Sequence, residues 1–209
     1  MHKFATLVSL IVLAPLALAA QEQPKATIFG GYSYLRNGNN DNTLGGSNSL
    51  NGWEGQATYN FTRYLGVTAD INGNYRTVAS FSFLPGVSAS ANQRLYNFLF
   101  GPTVTANMGP ISVFGHALFG EAHSSLGAGV NLPIIGGLSQ GLTSANAFAM
   151  AFGGGVDIPV SRHFAIRAAQ LDFLRTQFSS LDALSMGLAN SSNGGQNSFR
   201  YSGGVVFRF

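Results

Sequence analysis

The clearest structural signal in the chain is the stretch GWEGQATYNFTRYLGVTADINGNYR, residues 52–76. Its two halves, residues 52–61 and 65–76, each alternate between apolar or small residues and polar residues, and a short segment around Thr62 and Arg63 separates them. Because successive side chains of a strand point to opposite faces of a sheet, this alternation predicts two β-strands joined by a tight turn.

Six further segments of the chain show the same alternation. With the first two they give eight predicted strands, at residues 26–36, 52–61, 65–76, 94–106, 111–122, 148–158, 163–176 and 199–209. The links between them alternate between long and short; the long links are residues 37–51, 77–93, 123–146 and 177–197. This order predicts an all-β, eight-stranded antiparallel up-and-down barrel, with both termini at the end that carries the tight turns.

The composition indicates that the barrel crosses a membrane. Charged residues are 9% of the chain, against about 25% in soluble domains, and no apolar run after residue 20 is long enough for a membrane helix. A soluble barrel would need more charge on its polar faces. Aromatic residues near the strand ends match the two interfacial girdles of a transmembrane barrel. They are Trp53, Phe61, Tyr75, Tyr96, Phe148, Phe164, Tyr201 and Phe207.

The first residues of the chain predict export. A short basic start is followed by the apolar run FATLVSLIVLAPLALAA, residues 4–20, which ends in small residues. We expect residues 1–19 to be a signal peptide, cleaved after Ala19 or Ala20, and residues 20–209 to form one barrel domain. A retained helical anchor is the alternative, and Pro15 disfavours it. Cysteine is absent and the net charge of +3 is not clustered, so we expect neither disulfides nor a nucleic-acid partner.

The last predicted strand, FRYSGGVVFRF, carries an apolar face that includes Tyr201, Val205, Phe207 and Phe209. It resembles the C-terminal signature of bacterial outer-membrane barrels, and IFGGYSYLR (residues 28–36) resembles the opening strand of the outer-membrane protein A-like β-barrel family. The resemblance spans residues 26–209. It implies location in the bacterial outer membrane and a last strand that is read as an assembly signal. Larger members of that family add a periplasmic peptidoglycan-binding domain, and we expect none in this chain.

The same resemblance implies the partners of the chain. These are outer-membrane lipid and lipopolysaccharide, the outer-membrane assembly machinery and periplasmic chaperones. We expect a monomer. No cofactor is expected, because the four histidines lack metal-ligand spacing and the glycine run at residues 153–155 lies inside a predicted strand rather than in a phosphate-binding loop.

The lumen of an eight-stranded barrel is about wide enough to be filled by side chains. The predicted register turns seven ionisable residues inward: Glu54, Asp70, Asp157, Arg167, Asp172, Arg200 and Arg208. Strand 7 needs a β-bulge near Ala169 to do so. We expect ion pairs that fix the register of the strands: Arg200 with Asp172 and Glu54, Arg208 with Asp157, and Arg167 with Asp70. An ion or proton path is the alternative.

One further set of residues has the composition of a hydrolytic site. Glu121, His123 and Ser125 alternate on one face of the fifth predicted strand, and the His-x-Ser spacing resembles that of the lipid A deacylases, which are also outer-membrane barrels. In that family, however, the acid follows the serine. Neighbours two apart on a strand also lie nearly 7 Å from each other, too far for a direct relay. We therefore expect no catalysis.

The sequence favours a non-enzymatic outer-membrane protein with a structural or surface-interaction role and a lumen plugged by side chains. Two alternatives stay open: a small-solute pore of the porin type, and a lipid A-modifying hydrolase acting on the outer face of the barrel. What the external loops bind is not encoded in a recognisable motif, because a fold by itself does not assign function.

Overall fold

The computed structural model describes residues 24–38, 49–84, 87–132, 136–177 and 195–209, and the predicted signal peptide lies outside them. These residues form eight strands: β1 (Ala26–Asn37), β2 (Ser49–Asn60), β3 (Leu65–Leu84), β4 (Val87–Met108), β5 (Ile111–Leu132), β6 (Gly136–Pro159), β7 (Phe164–Gln177) and β8 (Gly195–Arg208). Each strand pairs antiparallel with the next, and β8 closes the barrel on β1. The predicted fold class is confirmed. The described ranges contain no helix long and apolar enough to span a membrane.

The faces of the strands are inverted relative to a water-soluble barrel. Inward-facing Glu54 and Asp70 are each 1% exposed, whereas outward-facing Trp53 and Phe100 are 45% and 60% exposed. Every strand turns large apolar side chains outward and mainly small or polar ones inward. An exterior this apolar is stable only where lipid replaces water around it.

One end of the barrel is closed by three tight turns, at residues 61–64, 109–110 and 160–163, and we call it the inner end. The hydroxyl oxygens of Thr62 and Ser161 accept hydrogen bonds from backbone amides one turn later. The chain termini meet at the same end, because the backbones of Ala26 and Phe209 hydrogen-bond to each other. We call the opposite end the outer end.

Two of the predicted long links are wrong. The sequence predicts loops at residues 77–93 and 123–146, yet β3 and β4 continue to Leu84 and Val87, and β5 and β6 continue to Leu132 and Gly136. These segments are rich in Ser, Ala and Gly. Beyond the membrane both faces of a strand can meet water, so no alternation between apolar and polar residues is required there and the pattern that reveals a strand disappears.

The extra length forms a sheet that stands above the barrel, which we call the outer sheet. The pairing of β2 with β3 ends at Asn51 opposite Tyr75, and that of β6 with β7 ends at Phe148 opposite Gln177. Strands β3 to β6 continue to pair with one another past these points. At about 3.3 Å per residue, the roughly ten extra residues per strand add some 30 Å of backbone.

Candidate functional site

The lumen is organised around Arg200, whose side chain is fully buried. Its Nε and Nη2 atoms donate to Oδ2 of Asp172, at 2.9 and 2.7 Å. Its Nη1 and Nη2 atoms donate to the two carboxylate oxygens of Asp70, at 3.1 and 3.0 Å. The Oε1 atom of Glu54 lies 3.4 Å from Nη2. One guanidinium thus contacts three buried carboxylates, which we call the Arg200 cluster.

Two glutamines complete the cluster with neutral donors. The Nε2 atom of Gln56 bridges Glu54 and Asp70, at 2.6 and 2.8 Å. The Nε2 atom of Gln170 bridges Glu54 and Asp172, at 2.8 and 2.7 Å. Since a buried acidic side chain needs several hydrogen-bond donors to offset the loss of water, these amides supply donors that Arg200 alone cannot provide.

Further polar groups extend the cluster towards β5 and β8. The Ser202 hydroxyl donates to Oε2 of Glu54, and Nε2 of His116 lies 2.9 Å from Oδ1 of Asp172. Gly153 pairs with both His116 and Asp172 across the sheet, and a Cβ atom at Gly153 would collide with the Asp172 carboxylate. The absence of a side chain there makes room for the contact between the histidine and the acid.

A second ion pair lies closer to the inner end. Arg167 donates through Nε and Nη2 to the two carboxylate oxygens of Asp157, at 2.8 and 3.2 Å. Its Nη1 atom donates to Gln56 and Gln170, at 2.6 Å in each case. The two glutamines therefore connect the two arginines through hydrogen bonds, and the polar interior is one network.

The guanidinium of Arg167 is also enclosed by aromatic rings. Its central carbon lies 4.3 Å from the ring centroid of Phe29 and 4.1 Å from that of Phe114. Both distances are within the range of a cation–π contact, and a planar guanidinium can stack on such rings as an ammonium cannot. Arg167 is held by charge, by hydrogen bonds and by stacking at once.

The predicted β-bulge in strand 7 is confirmed. Val156 of β6 pairs with Ala169 of β7. The next pair is Asp157 with Arg167, so one residue of β7 between the two pairs has no partner. The pairing of β7 with β8 shifts at the same place. This extra residue is what allows both Arg167 and Asp172 to face the lumen.

The network is bounded by two different layers. Towards the outer end lies an apolar cluster of Leu35, Leu50, Leu95, Leu99, Leu118, Ala122, Ala145, Ala147, Ala149, Ala151 and Leu174. Towards the inner end lies a polar cavity of about 30 Å³, lined by Arg208 and by threonines among others. A cavity of this size holds one or two water molecules.

The structure differs from the sequence analysis in the partners of two arginines. Arg167 pairs with Asp157 rather than with Asp70, which belongs to the Arg200 cluster. Within the described ranges, no carboxylate lies within ion-pair distance of Arg208, which lines the inner cavity instead. The face of each residue could be read from alternation, but its height in the barrel depends on the stagger between strands.

The three residues of the possible hydrolytic site lie on the outward face of β5. The Nδ1 atom of His123 is 2.6 Å from Oδ1 of Asn146, on the neighbouring strand. Within the described part of the chain, neither Glu121 nor Ser125 has a hydrogen bond to His123. The arrangement has the parts of a catalytic triad without the contacts that would activate a nucleophile.

Sequence reasoning named only the acids and arginines of the network and did not include its other polar members. They are Gln56, Gln170, Ser202, Asn72, Asn97 and His116, all buried in the lumen. Each alternates with outward apolar residues, on the same faces as the predicted carboxylates and arginines, and that pattern could have identified them. The described residues contain no group of three or more His, Asp or Glu side chains arranged to hold a metal ion.

Replacing Arg167 with lysine tests how much the contacts of its guanidinium contribute to stability. The Arg167→Lys variant keeps a positive charge but loses the paired hydrogen bonds to Asp157 and the stacking on two rings. We expect a loss of about 2–3 kcal/mol in the free energy of unfolding, measured by urea titration of protein folded in lipid vesicles. The matched control is Arg162→Lys on an exposed inner turn, expected to change stability by less than about 0.5 kcal/mol. Equal effects of the two changes would contradict this account of Arg167.

Comparison with known proteins agrees with the architecture. A family model described as "Outer membrane protein beta-barrel domain" matches residues 4–209. Ail, the attachment invasion locus protein of Yersinia pestis, solved in complex with the heparin analogue sucrose octasulfate, is 16% identical, with a TM-score of 0.53 over 90% of this chain and 100% of that chain. Neisserial surface protein A (NspA) is 12% identical, with a TM-score of 0.46 and the same coverage.

The N-terminal β-barrel domain of Pseudomonas aeruginosa OprF is 11% identical, with a TM-score of 0.41 over 90% of this chain and 100% of that chain. No match was found among curated protein sequences. At 16% identity the Ail structure supports the shared fold alone, while the family model covers nearly the whole chain. The chain belongs to the outer membrane protein β-barrel domain family and resides in the bacterial outer membrane.

Proposed function

We propose that this chain is a non-enzymatic surface protein of the outer membrane whose lumen is closed and whose outer sheet is the interaction platform. The observation that carries the proposal is the unequal length of the strands. Strands β3 to β6 have 20 to 24 residues, whereas β1, β2, β7 and β8 have 12 to 14. A membrane crossing needs only about 9–11.

The filling of the lumen supports the closed state. A solute would have to pass the inner cavity, then Arg167 between its two phenylalanines, then the Arg200 cluster and finally the leucine and alanine layer. The charged groups in this series are hydrogen-bonded to one another, so moving them aside would leave buried charge without partners. This arrangement favours a structural lumen over the porin-type alternative.

Planar-bilayer recording tests the closed lumen. The purified wild-type protein should give no steady conductance, or only small and rare openings, because a continuous water column has no room beside the network. A large-pore barrel inserted under identical conditions serves as the positive control. A stable, large open state of this protein would overturn the closed lumen and favour the pore.

The outer sheet supports the surface role by the strand edges that it leaves unpaired within the described residues. Its strands continue beyond the points where β2 and β7 stop pairing, so β3 and β6 have no partner strand on their outer edges within the described residues. Unpaired strand edges are templates for adding a strand of another chain. Ail is named in its structure as an attachment protein, and we propose attachment as the role to test for the outer sheet as well.

A trimmed barrel tests the surface role. Thr77 pairs with Asn92, and Leu126 pairs with Thr143, so each pair can be joined by a two-residue Asn-Gly turn without a change of register. The trimmed protein should still fold, because the barrel network lies below the cuts. Non-adherent bacteria that display it should adhere to cultured cells and matrix-coated surfaces no better than bacteria without the protein, whereas the wild type should adhere.

Folding of the trimmed barrel is checked by its heat-dependent gel mobility and by its recovery in the outer-membrane fraction. Attachment of the folded, trimmed barrel at the wild-type level would contradict the role assigned to the outer sheet. Failure of the wild type to attach to any of these surfaces would count against attachment as the function.

The last strand supports a proposal about assembly. Tyr201, Val205, Phe207 and Phe209 are all exposed on the outward face of β8, with Tyr201 near the middle of the strand and the other three towards the inner end. We propose that they form the signal read by the outer-membrane assembly machinery, after delivery by periplasmic chaperones. Their alternation places these side chains in one apolar row on the outward face of β8, which the machinery could contact before β8 pairs with β1.

A further inference from the structure

The charges of the described residues are separated between the inside and the outside of the barrel. Four of the five described side-chain carboxylates face the lumen, and among these five only Glu121 lies on the outer surface. The exposed cations lie near the two ends of the barrel: Arg36, Arg94 and Arg175 towards the outer end, and Lys25, Arg63 and Arg162 at the inner end. The exposed charged side chains near the two ends of the barrel are therefore mostly basic, which favours anionic headgroups.

One of these cations lies beside a chain of hydrogen-bond donors at the outer end. The Nε1–H group of Trp53 donates to the Tyr75 hydroxyl at 3.3 Å, and the Tyr75 hydroxyl donates to the Tyr96 hydroxyl at 3.1 Å. The proton of Tyr96 has no acceptor among the described residues. Arg94 is paired with Tyr75 in the β3–β4 register and lies two residues from Tyr96 on the same face. It forms no ion pair within those residues.

A glycine holds the three rings together. Gly73 lies between Trp53 and Tyr96 in the pairing of β2, β3 and β4. A Cβ atom at Gly73 would lie only 3.0–3.1 Å from Nε1 of Trp53, Cε1 of Tyr96 and the hydroxyl of Tyr75. The missing side chain allows the rings to close over the strand, so the donors are fixed in place before any ligand arrives.

The outward face of β4 continues from Arg94 and Tyr96 into the apolar, lipid-facing surface of the barrel. From the outer end inward, its residues are Arg94, Tyr96, Phe98 and Phe100, with Phe98 and Phe100 54% and 60% exposed. The order is cation, hydroxyl and then hydrocarbon. It matches the order of phosphate, polar headgroup and acyl chain in a lipid that stands beside the barrel.

We propose that Arg94, Trp53, Tyr75 and Tyr96 form a binding site for the phosphate of a phosphorylated glycolipid in the outer leaflet. The free guanidinium and the unused Tyr96 proton are both donors that call for an anionic acceptor, and phosphate oxygens accept from each. The outer end of the barrel faces the outside of the cell, because short turns lie on the periplasmic side. The outer leaflet there carries phosphorylated glycolipid. The site depends on membrane insertion and is independent of what the outer sheet binds.

Native mass spectrometry of the folded protein in detergent micelles tests the site. Micelles are doped with bisphosphorylated lipid A, with dephosphorylated lipid A or with phosphatidylglycerol, and the lipid-bound fraction is measured against lipid concentration. The wild type should bind bisphosphorylated lipid A about tenfold more tightly than the dephosphorylated form, as expected for one charge-assisted hydrogen-bonded contact. It should also prefer lipid A to phosphatidylglycerol.

Single-residue variants distinguish binding at the proposed site from attraction to the general positive charge of the outer end. Arg94→Ala should weaken binding of bisphosphorylated lipid A about tenfold, and Tyr96→Phe, which removes the Tyr96 hydroxyl both as a donor to the lipid and as the acceptor of the Tyr75 hydrogen bond, about threefold. Arg175→Ala is the matched control, because Arg175 is exposed near the same end but pairs with Met150 and Asn197 instead of tyrosines. It should bind as the wild type does.

Three results would overturn the proposal. The first is equal binding by the Arg94 and Arg175 variants, and the second is binding that does not change when the phosphates are removed. The third is equal affinity for phosphatidylglycerol and lipid A, which would assign the site to phospholipid instead. Heat-dependent gel mobility confirms that each variant is folded before binding is measured.

Discussion

The buried guanidinium of Arg200 is the interaction on which the rest of the barrel interior depends. It contacts carboxylates from three strands, on β2, β3 and β7, while it is itself carried by β8. Carboxylates in so confined a space would repel one another and lose their hydration without a compensating cation. The stagger of the four strands must therefore place Arg200 and the three acids at the same height in the barrel. The register of these strands thus depends on their charged residues.

The same arrangement also affects the charge of the outer surface of the barrel. Because most of the described side-chain carboxylates lie in the lumen, few remain on the surface, and the exposed charged side chains near both ends of the barrel are mostly basic. Tyrosine and tryptophan at the outer end then provide donors beside Arg94. The separation of charge links a stabilising network inside the barrel to the lipid contacts that we propose outside it.

Much of the fold could be predicted from the sequence, because contact with lipid makes one face of every strand apolar. Alternation alone identified eight strands, the inward face of Glu54 and the bulge in β7. Alternation failed to predict the outer parts of β3 to β6, where the strands no longer have one apolar and one polar face. It also failed for the partner of Arg167, since stagger between strands decides which inward residues share a height. The roles of Gln56 and Gln170 follow from three-dimensional proximity, which no local pattern encodes.

The most direct test of this account is the free energy of unfolding of the Arg200→Met variant, measured in lipid vesicles alongside the exposed control Arg175→Met. Removal of Arg200 leaves three buried acidic side chains without their shared guanidinium partner, so a loss of about 3–5 kcal/mol is expected, against less than about 0.5 kcal/mol for the control. Adding Asp70→Leu to the Arg200→Met variant should then restore part of the loss, because one unpaired charge is removed. Equal stability of the Arg200 and Arg175 variants would contradict the central role of the Arg200 cluster.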